Sequence, residues 1–247
     1  MTLTKTQIAI KKNRTLFPKT VKSVLAMTGS EEVLKLSTNK KLGNKVTIGK
    51  FKGFPIYTLT LEERKTCPSD CGHYKKCYGN NMHLAIRYKA DKALLEALRA
   101  RLAQLHAKHP KGFLVRLHVL GDFFSPAYVR FWRDQLNLFP SLHIYGYSAR
   151  KALDPIGEEL DIVRKSFPTR FVIRASGNFQ RRLSALSYDN PKSEKLIQSK
   201  KAFLCPTQIT HKESRTIAKK GETTLVPNCG ACGLCWTSNK PVVFLTH

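Results

Sequence analysis

The chain has 247 residues, with 43 Lys and Arg against 17 Asp and Glu, a formal charge of +26. Its 42% hydrophobic content is ample for one core at this length, yet no apolar run approaches the ~20 residues that cross a bilayer, which excludes a spanning helix. The N-terminus lacks the apolar segment of a signal peptide, so a cytoplasmic protein is expected.

A field of this sign speaks about partners rather than fold. Polyanions fit it, and nucleic acid, DNA or RNA, is the expected partner. No membrane partner is expected.

Residues 1–50 carry eleven of the basic residues against Glu31 and Glu32, and read as a basic N-terminal extension ahead of an α/β domain over 51–247. Lys11, Lys12 and Arg14, then Lys40, Lys41 and Lys45, are the candidate phosphate contacts. A flexible basic tail is the alternative.

From residue 54 the pattern is regular. The β-branched and aromatic run 54–61 predicts a strand, and the first cysteines follow at once. Leu84, Tyr88, Leu95, Leu98, Leu102 and Leu105 recur at helical spacing and predict a helix over 82–108, stopped by Pro110 and Gly112. A strand is expected over 113–120 and a helix over 126–138, opened by Ser125-Pro126. Strands over 142–148 and 170–176 flank a helix over 155–165. The stretch 177–241 is less periodic, and 242–245 reads as a closing strand. Strands alternating with helices imply parallel βαβ units. The expected fold is therefore α/β, a partial (β/α) barrel-like parallel sheet with the cysteine loops on its C-terminal rim, where ligands of such sheets bind.

The cysteines carry most of the chemical information. Cys67, Cys71 and Cys77 form one group. Cys229, Cys232 and Cys235 form another, with Cys205-Pro206 upstream. A C-x2-C-x2-C run with a remote Cys-Pro is the ligand pattern of an iron–sulfur cluster, here expected as 4Fe–4S. Zinc is the alternative, although a structural zinc site usually draws two ligands from each of two knuckles. Disulfides are not expected, because the count is odd and no secretory segment is present.

Gly121-Asp122 follow the second predicted strand and are candidate cofactor-binding residues. Tyr147, Ser148 and Arg150 follow the third; Ser176, Gly177 and Asn178 follow the fourth. Alternation puts Arg116 and His118 on one strand face and Val115, Leu117 and Val119 on the other. Arg116, His118, Asp122 and Arg174 are expected to share one buried polar network beneath the metal rim, since buried polar groups must be satisfied. A core His118 bonded to backbone and a helix-capping Asp122 are the plainer readings. Phe123, Phe124, Trp132, Tyr145 and Tyr147 read as core rather than as a base-stacking platform.

The segments Arg116-x-His118-x-x-Gly121-Asp122-Phe123-Phe124-Ser125, Cys205-Pro206, Cys232-x-x-Cys235-Trp236 and the terminal His247, with Cys77-Tyr78, resemble the "gene product 88" family of phages and plasmids. The likeness covers roughly residues 54–247, and implies a mobile-element setting without an activity. A weaker resemblance is to radical SAM enzymes. They too place three cysteines after the first barrel strand and a glycine-rich acidic motif after the second. Here the spacing is C-x3-C-x5-C rather than C-x3-C-x2-C, and the second motif has one glycine. That resemblance implies SAM at an open iron, whereas four thiolates would close the cluster. The expectation is a nucleic-acid-binding iron–sulfur protein rather than an enzyme. The alternatives are a radical-SAM-like enzyme acting on nucleic acid and a zinc-based binder.

Overall fold

The computed structural model describes residues 3–26, 33–177, 183–189, 191–208 and 228–245. Its frame is an open eight-stranded sheet. The strands are β2 (Lys35–Leu36), β3 (Ile56–Thr58), β5 (Phe113–Leu117), β6 (Leu142–Ser148), β7 (Phe171–Ser176), β8 (Ser184–Ser187), β9 (Phe203–Leu204) and β10 (Val242–Phe244). Their spatial order is β2-β3-β5-β6-β7-β8-β10-β9. Only β2 runs antiparallel to its neighbour. From β3 to β8 the strands follow one another in chain order, as in a barrel, but the sheet does not close. A separate parallel pair joins β1 (Val21–Lys22) to β4 (Arg87–Tyr88).

Register follows from side-chain alternation. Tyr57, Val115 and Ile144 are paired across β3, β5 and β6. They face the main core, shared with α2 (Lys92–Lys108), α3 (Pro126–Leu138) and α4 (Pro155–Ser166). On the opposite face Ile56, Leu114, Tyr145 and Val172 pack with Val46, Phe51 and Trp236. That second face holds the C-terminal cysteines.

Helix α3 and strand β6 match their predicted spans. Ser125 accepts the Tyr128 N–H and Pro126 occupies the first turn. The helix predicted over 82–108 begins ten residues later. Residues 78–81 form a 3₁₀ turn, Arg87–Tyr88 pair as a strand, and Asp91 caps the helix by accepting from Leu94 N. Leu84 is accordingly 83% exposed, and the buried stripe is Leu94, Leu98, Leu102 and Leu105. Pairing of Arg87–Tyr88 with β1 outweighs the helical periodicity of Tyr88. The strand predicted over 113–120 stops at Leu117, where the Leu117–His118 peptide is cis.

The described residues before 51 contribute to the same cores. Helix α1 (Lys5–Lys11) starts with a Thr4/Gln7 capping box. Val33 and Leu34 lie in the main core, and Val46 lies in the second cluster. The less periodic stretch supplies β8, helix α5 (Pro191–Gln198) and β9. It ends in two short helices, α6 (Cys229–Cys232) and α7 (Leu234–Thr237), before β10. Among the described residues no helix is long and apolar enough to cross a membrane.

Candidate functional site

Helices α6 and α7 are each four residues long and too short to persist alone. Asn228 caps α6 through Ala231 N, and Gly233, at φ 72°, turns the chain into α7. Trp236 anchors the pair against Tyr145, with ring centroids 4.7 Å apart. Arg174, fully buried on β7, closes the far end. It donates to the carbonyls of Leu234 (3.3 Å), Cys235 (3.0 Å) and Lys240 (2.8 Å), and to that of Ser238. The last carbonyls of a helix lack partners of their own, and a guanidinium fork serves several at once.

This arrangement brings Cys205, Cys229, Cys232 and Cys235 to the wall of one small pocket, with Phe203, Pro206 and Trp236. Burial raises all three thiols of the terminal run. Cys229 is pushed up to about 12 and Cys235 to about 11, with neighbouring cysteines adding to the effect. The Tyr147 hydroxyl donates to Cys235 Sγ at 3.0 Å, which favours the thiolate there. Thiols are the donor type that zinc and iron–sulfur clusters take, and binding would release their protons.

The first group lies in the loop after β3. Cys67 is pushed up to about 12 by burial, then by the Asp122 carboxylate and by Cys71 and Cys77. Cys71 and Cys77 are raised by burial as well, so three thiols share one neighbourhood. Gly121 and Asp122 tie this loop to its neighbours. Gly121 has φ 83°, and a Cβ there would stand 2.6 Å from Thr66 Oγ1. Asp122 donates its N–H to that oxygen at 3.1 Å. The Asp122 carboxylate accepts Phe123 N (2.7 Å) and Ala149 N (2.8 Å). Arg150 reaches the carbonyls of Thr66 and Phe123, both at 2.8 Å. The pair expected to meet a cofactor thus fastens three loops together at the strand ends, and burial raises the Asp122 carboxyl to about 6.

The four residues expected to form one buried network take four separate places. Arg174 holds α7. Arg116 lies over the Tyr147 ring at 4.4 Å and donates to Leu117 O. Asp122 ties the rim loops. His118 departs from the face of Arg116, because β5 ends at Leu117. It packs on Phe123 and Tyr128 and bonds the Tyr128 hydroxyl through Nε2 at 3.0 Å, leaving Nδ1 without a partner.

Burial lowers His118 to about 3, aided by the Arg116 charge. Unfolding lets it take up a proton below its ordinary value near 6.5. Its contribution to stability is therefore complete above about pH 6.5 and falls with pH toward 3, by up to about 1.4 kcal/mol per unit. Denaturant midpoints measured across that window should show a shallower acid decline in His118→Gln than in wild type. An unchanged slope would remove His118 from the acid response.

Phe123 and Trp132 are fully buried, as core residues should be, and Phe124 packs against them. Tyr145 and Tyr147 line the second face beside the cysteines, a proximity that alternation on β6 permits but linear spacing does not reveal. Arg174 as a carbonyl clamp was likewise invisible, since its partners are 10–66 residues away.

Lys11, Lys12, Lys40, Lys41 and Lys45 are exposed, and Arg14 is half-buried. Arg64 Nη1 donates to Arg14 O at 3.5 Å. Asn178 and His247 lie outside the described residues. Among the described residues, no three His, Cys, Asp or Glu stand as a ready single-ion site.

Comparison with curated proteins and with solved structures gave no match. A family model does match, over residues 32–238, a span that takes in all seven cysteines and the Gly-Asp-Phe-Phe-Ser string. The chain belongs to the Gene product 88 family.

Proposed function

We propose that this is an iron–sulfur protein that binds nucleic acid through its basic surface. The observation that carries the reading is the convergence of Cys205, Cys229, Cys232 and Cys235 on one pocket. Their sequence pattern suits a cluster better than a two-knuckle zinc site. The surroundings suit an anionic group as well. Arg116 and Arg174 act electrostatically on Cys229 and Cys235, and Tyr147 supplies a hydrogen bond of the kind that tunes a bound metal from outside its ligand shell. The first group supports a second site, with three thiols in one loop. When bound, the cluster would cross-link segments that own little core, and its binding energy would be folding energy.

The charge of +26 supports the second half of the reading. Exposed lysines from two separate turns offer phosphate contacts, and no finger or helix-turn-helix pattern points to base readout. Anaerobically prepared protein should be brown, with iron and sulfide in comparable amounts. Colourless protein carrying stoichiometric zinc after reconstitution would sink the iron–sulfur reading. If roughly five to eight phosphates are neutralised, log affinity for DNA or RNA should fall with log salt at a slope of about −4 to −7. A flat salt response would leave the charge without its proposed partner. Addition of SAM should leave the spectrum of the cluster unchanged. Reductive cleavage of SAM, lost in Cys71→Ala, would instead favour the enzyme reading.

A further inference from the structure

The terminal cysteines are joined by backbone to one of the basic turns. Cys229 N donates to Lys41 O at 2.9 Å, and Gly230 N to Leu42 O at 3.0 Å. Thr47 N returns a bond to Gly230 O at 3.0 Å. The two chains touch so closely that a Cβ at Gly230 would stand 2.2 Å from Lys45 O. Gly43, at φ 77°, meets the Asn228 side chain that caps α6. The turn also has a frame of its own. Asn39 Oδ1 accepts Lys41 N, and Asn39 O accepts Leu42 N and Gly43 N.

Charge around this seam is one-sided. Between 33 and 61 the chain carries Lys35, Lys40, Lys41, Lys45, Lys50 and Lys52 with no Asp or Glu. Residues 228–245 add Lys240 and again no acid. Lys40, Lys41 and Lys45 project into solvent from a turn whose carbonyls face the cysteine helix. A surface of this kind fits a phosphodiester backbone, which rewards several fixed cations at once.

Resting on the iron–sulfur reading of Cys205, Cys229, Cys232 and Cys235, we infer that turn 39–47 is a phosphodiester-binding loop ordered by the cluster, so that cluster gain or loss switches nucleic-acid affinity. Helix α6 has four residues, too few to persist without its neighbours. With its cysteines fastened, it presents the N–H groups that donate to Lys41 O and Leu42 O. Without them, those carbonyls turn to water and the three lysines must be ordered by the ligand, which weakens binding. Linkage makes the effect reciprocal: bound nucleic acid must hold the cluster more tightly by the same factor.

The test uses the full chain, loaded anaerobically and then stripped with an iron chelator. Binding is read by anisotropy with a labelled DNA duplex and with a labelled single-stranded RNA. Loaded protein is expected to bind roughly tenfold more tightly than stripped protein, within the usual range of coupling between sites. A shift with either polymer supports the switch, and its size in the two arms identifies the favoured source of phosphate. The variant Lys40→Gln/Lys41→Gln/Lys45→Gln should keep its iron and visible absorption while losing the difference between the two states. Its salt slope should be shallower by about 2–3. Hydrogen exchange gives a readout independent of any variant, because amides of 39–47 should gain protection on loading. Equal affinity of loaded and stripped wild type, or unchanged exchange in that turn, overturns the switch and leaves the cluster reading standing. Failure to take up iron at all overturns both.

Discussion

On the iron–sulfur reading proposed above, Cys232→Ala is expected to lose most of the terminal group's iron and to destabilise the chain by more than about 4 kcal/mol, the range reached when a structural metal is lost. The size follows from position. Cys232 ends α6, and Gly233 turns directly into α7, whose Trp236 fills the second core cluster. Strand β10 follows within five residues of α7, and it sits between β8 and β9 rather than at an edge. Loosening α6 and α7 therefore frees Trp236 and weakens the sheet's C-terminal half together. Iron analysis with a thermal or denaturant melt checks both effects. Cys67→Ala, in the first loop, should leave the terminal group's iron in place. Equal loss of all iron in both variants would mean that the two groups share a single site.

Breaking the Glu63–Arg87 pair is the second large effect. Both side chains are buried, and the guanidinium meets the two carboxylate oxygens at 2.6 and 3.1 Å. Arg87 also donates to Thr20 Oγ1 and to the carbonyls of Gly79, Met82 and Ala85. Thr15 Oγ1 donates to Glu63 Oε1. One ion pair thus ties the N-terminal segment to the turn that follows Cys77. Glu63→Leu leaves a buried guanidinium without its counter-charge and should cost about 3–5 kcal/mol. Denaturant midpoints should show the Glu63→Leu/Arg87→Met double variant less damaged than the sum of its parts, because neither charge is then stranded. Strict additivity would show that the two groups act separately.

Much of the fold was legible because its signals are local. Helix α3 is marked by Ser125-Pro126 and an apolar stripe, β6 by a run of aromatic and β-branched residues, and each feature lies within a dozen positions of the element it specifies. The parallel order of the central strands followed from their alternation with helices. The grouping of Cys229, Cys232 and Cys235 was equally local, since spacing within one short segment sets which thiols can meet. Other features depended on distant partners. Tyr88 carries a helical period, yet strand β1 claims it and Glu63 claims Arg87 beside it, so α2 starts only after Asp91. His118 shares its alternation with Arg116 but turns toward Tyr128 once β5 ends. Arg174 was expected in a polar network with Arg116, His118 and Asp122, but its partners are carbonyls of Ser184 on β8, of Leu234 and Cys235 in α7, and of Ser238 and Lys240 beyond it. The basic turn at Lys40–Lys45 read as solvated surface of an N-terminal extension, and only packing shows its backbone bonded to Cys229 and Gly230, far along the chain. Periodicity and spacing determine which elements form; which buried polar groups they satisfy is decided only when remote segments pack.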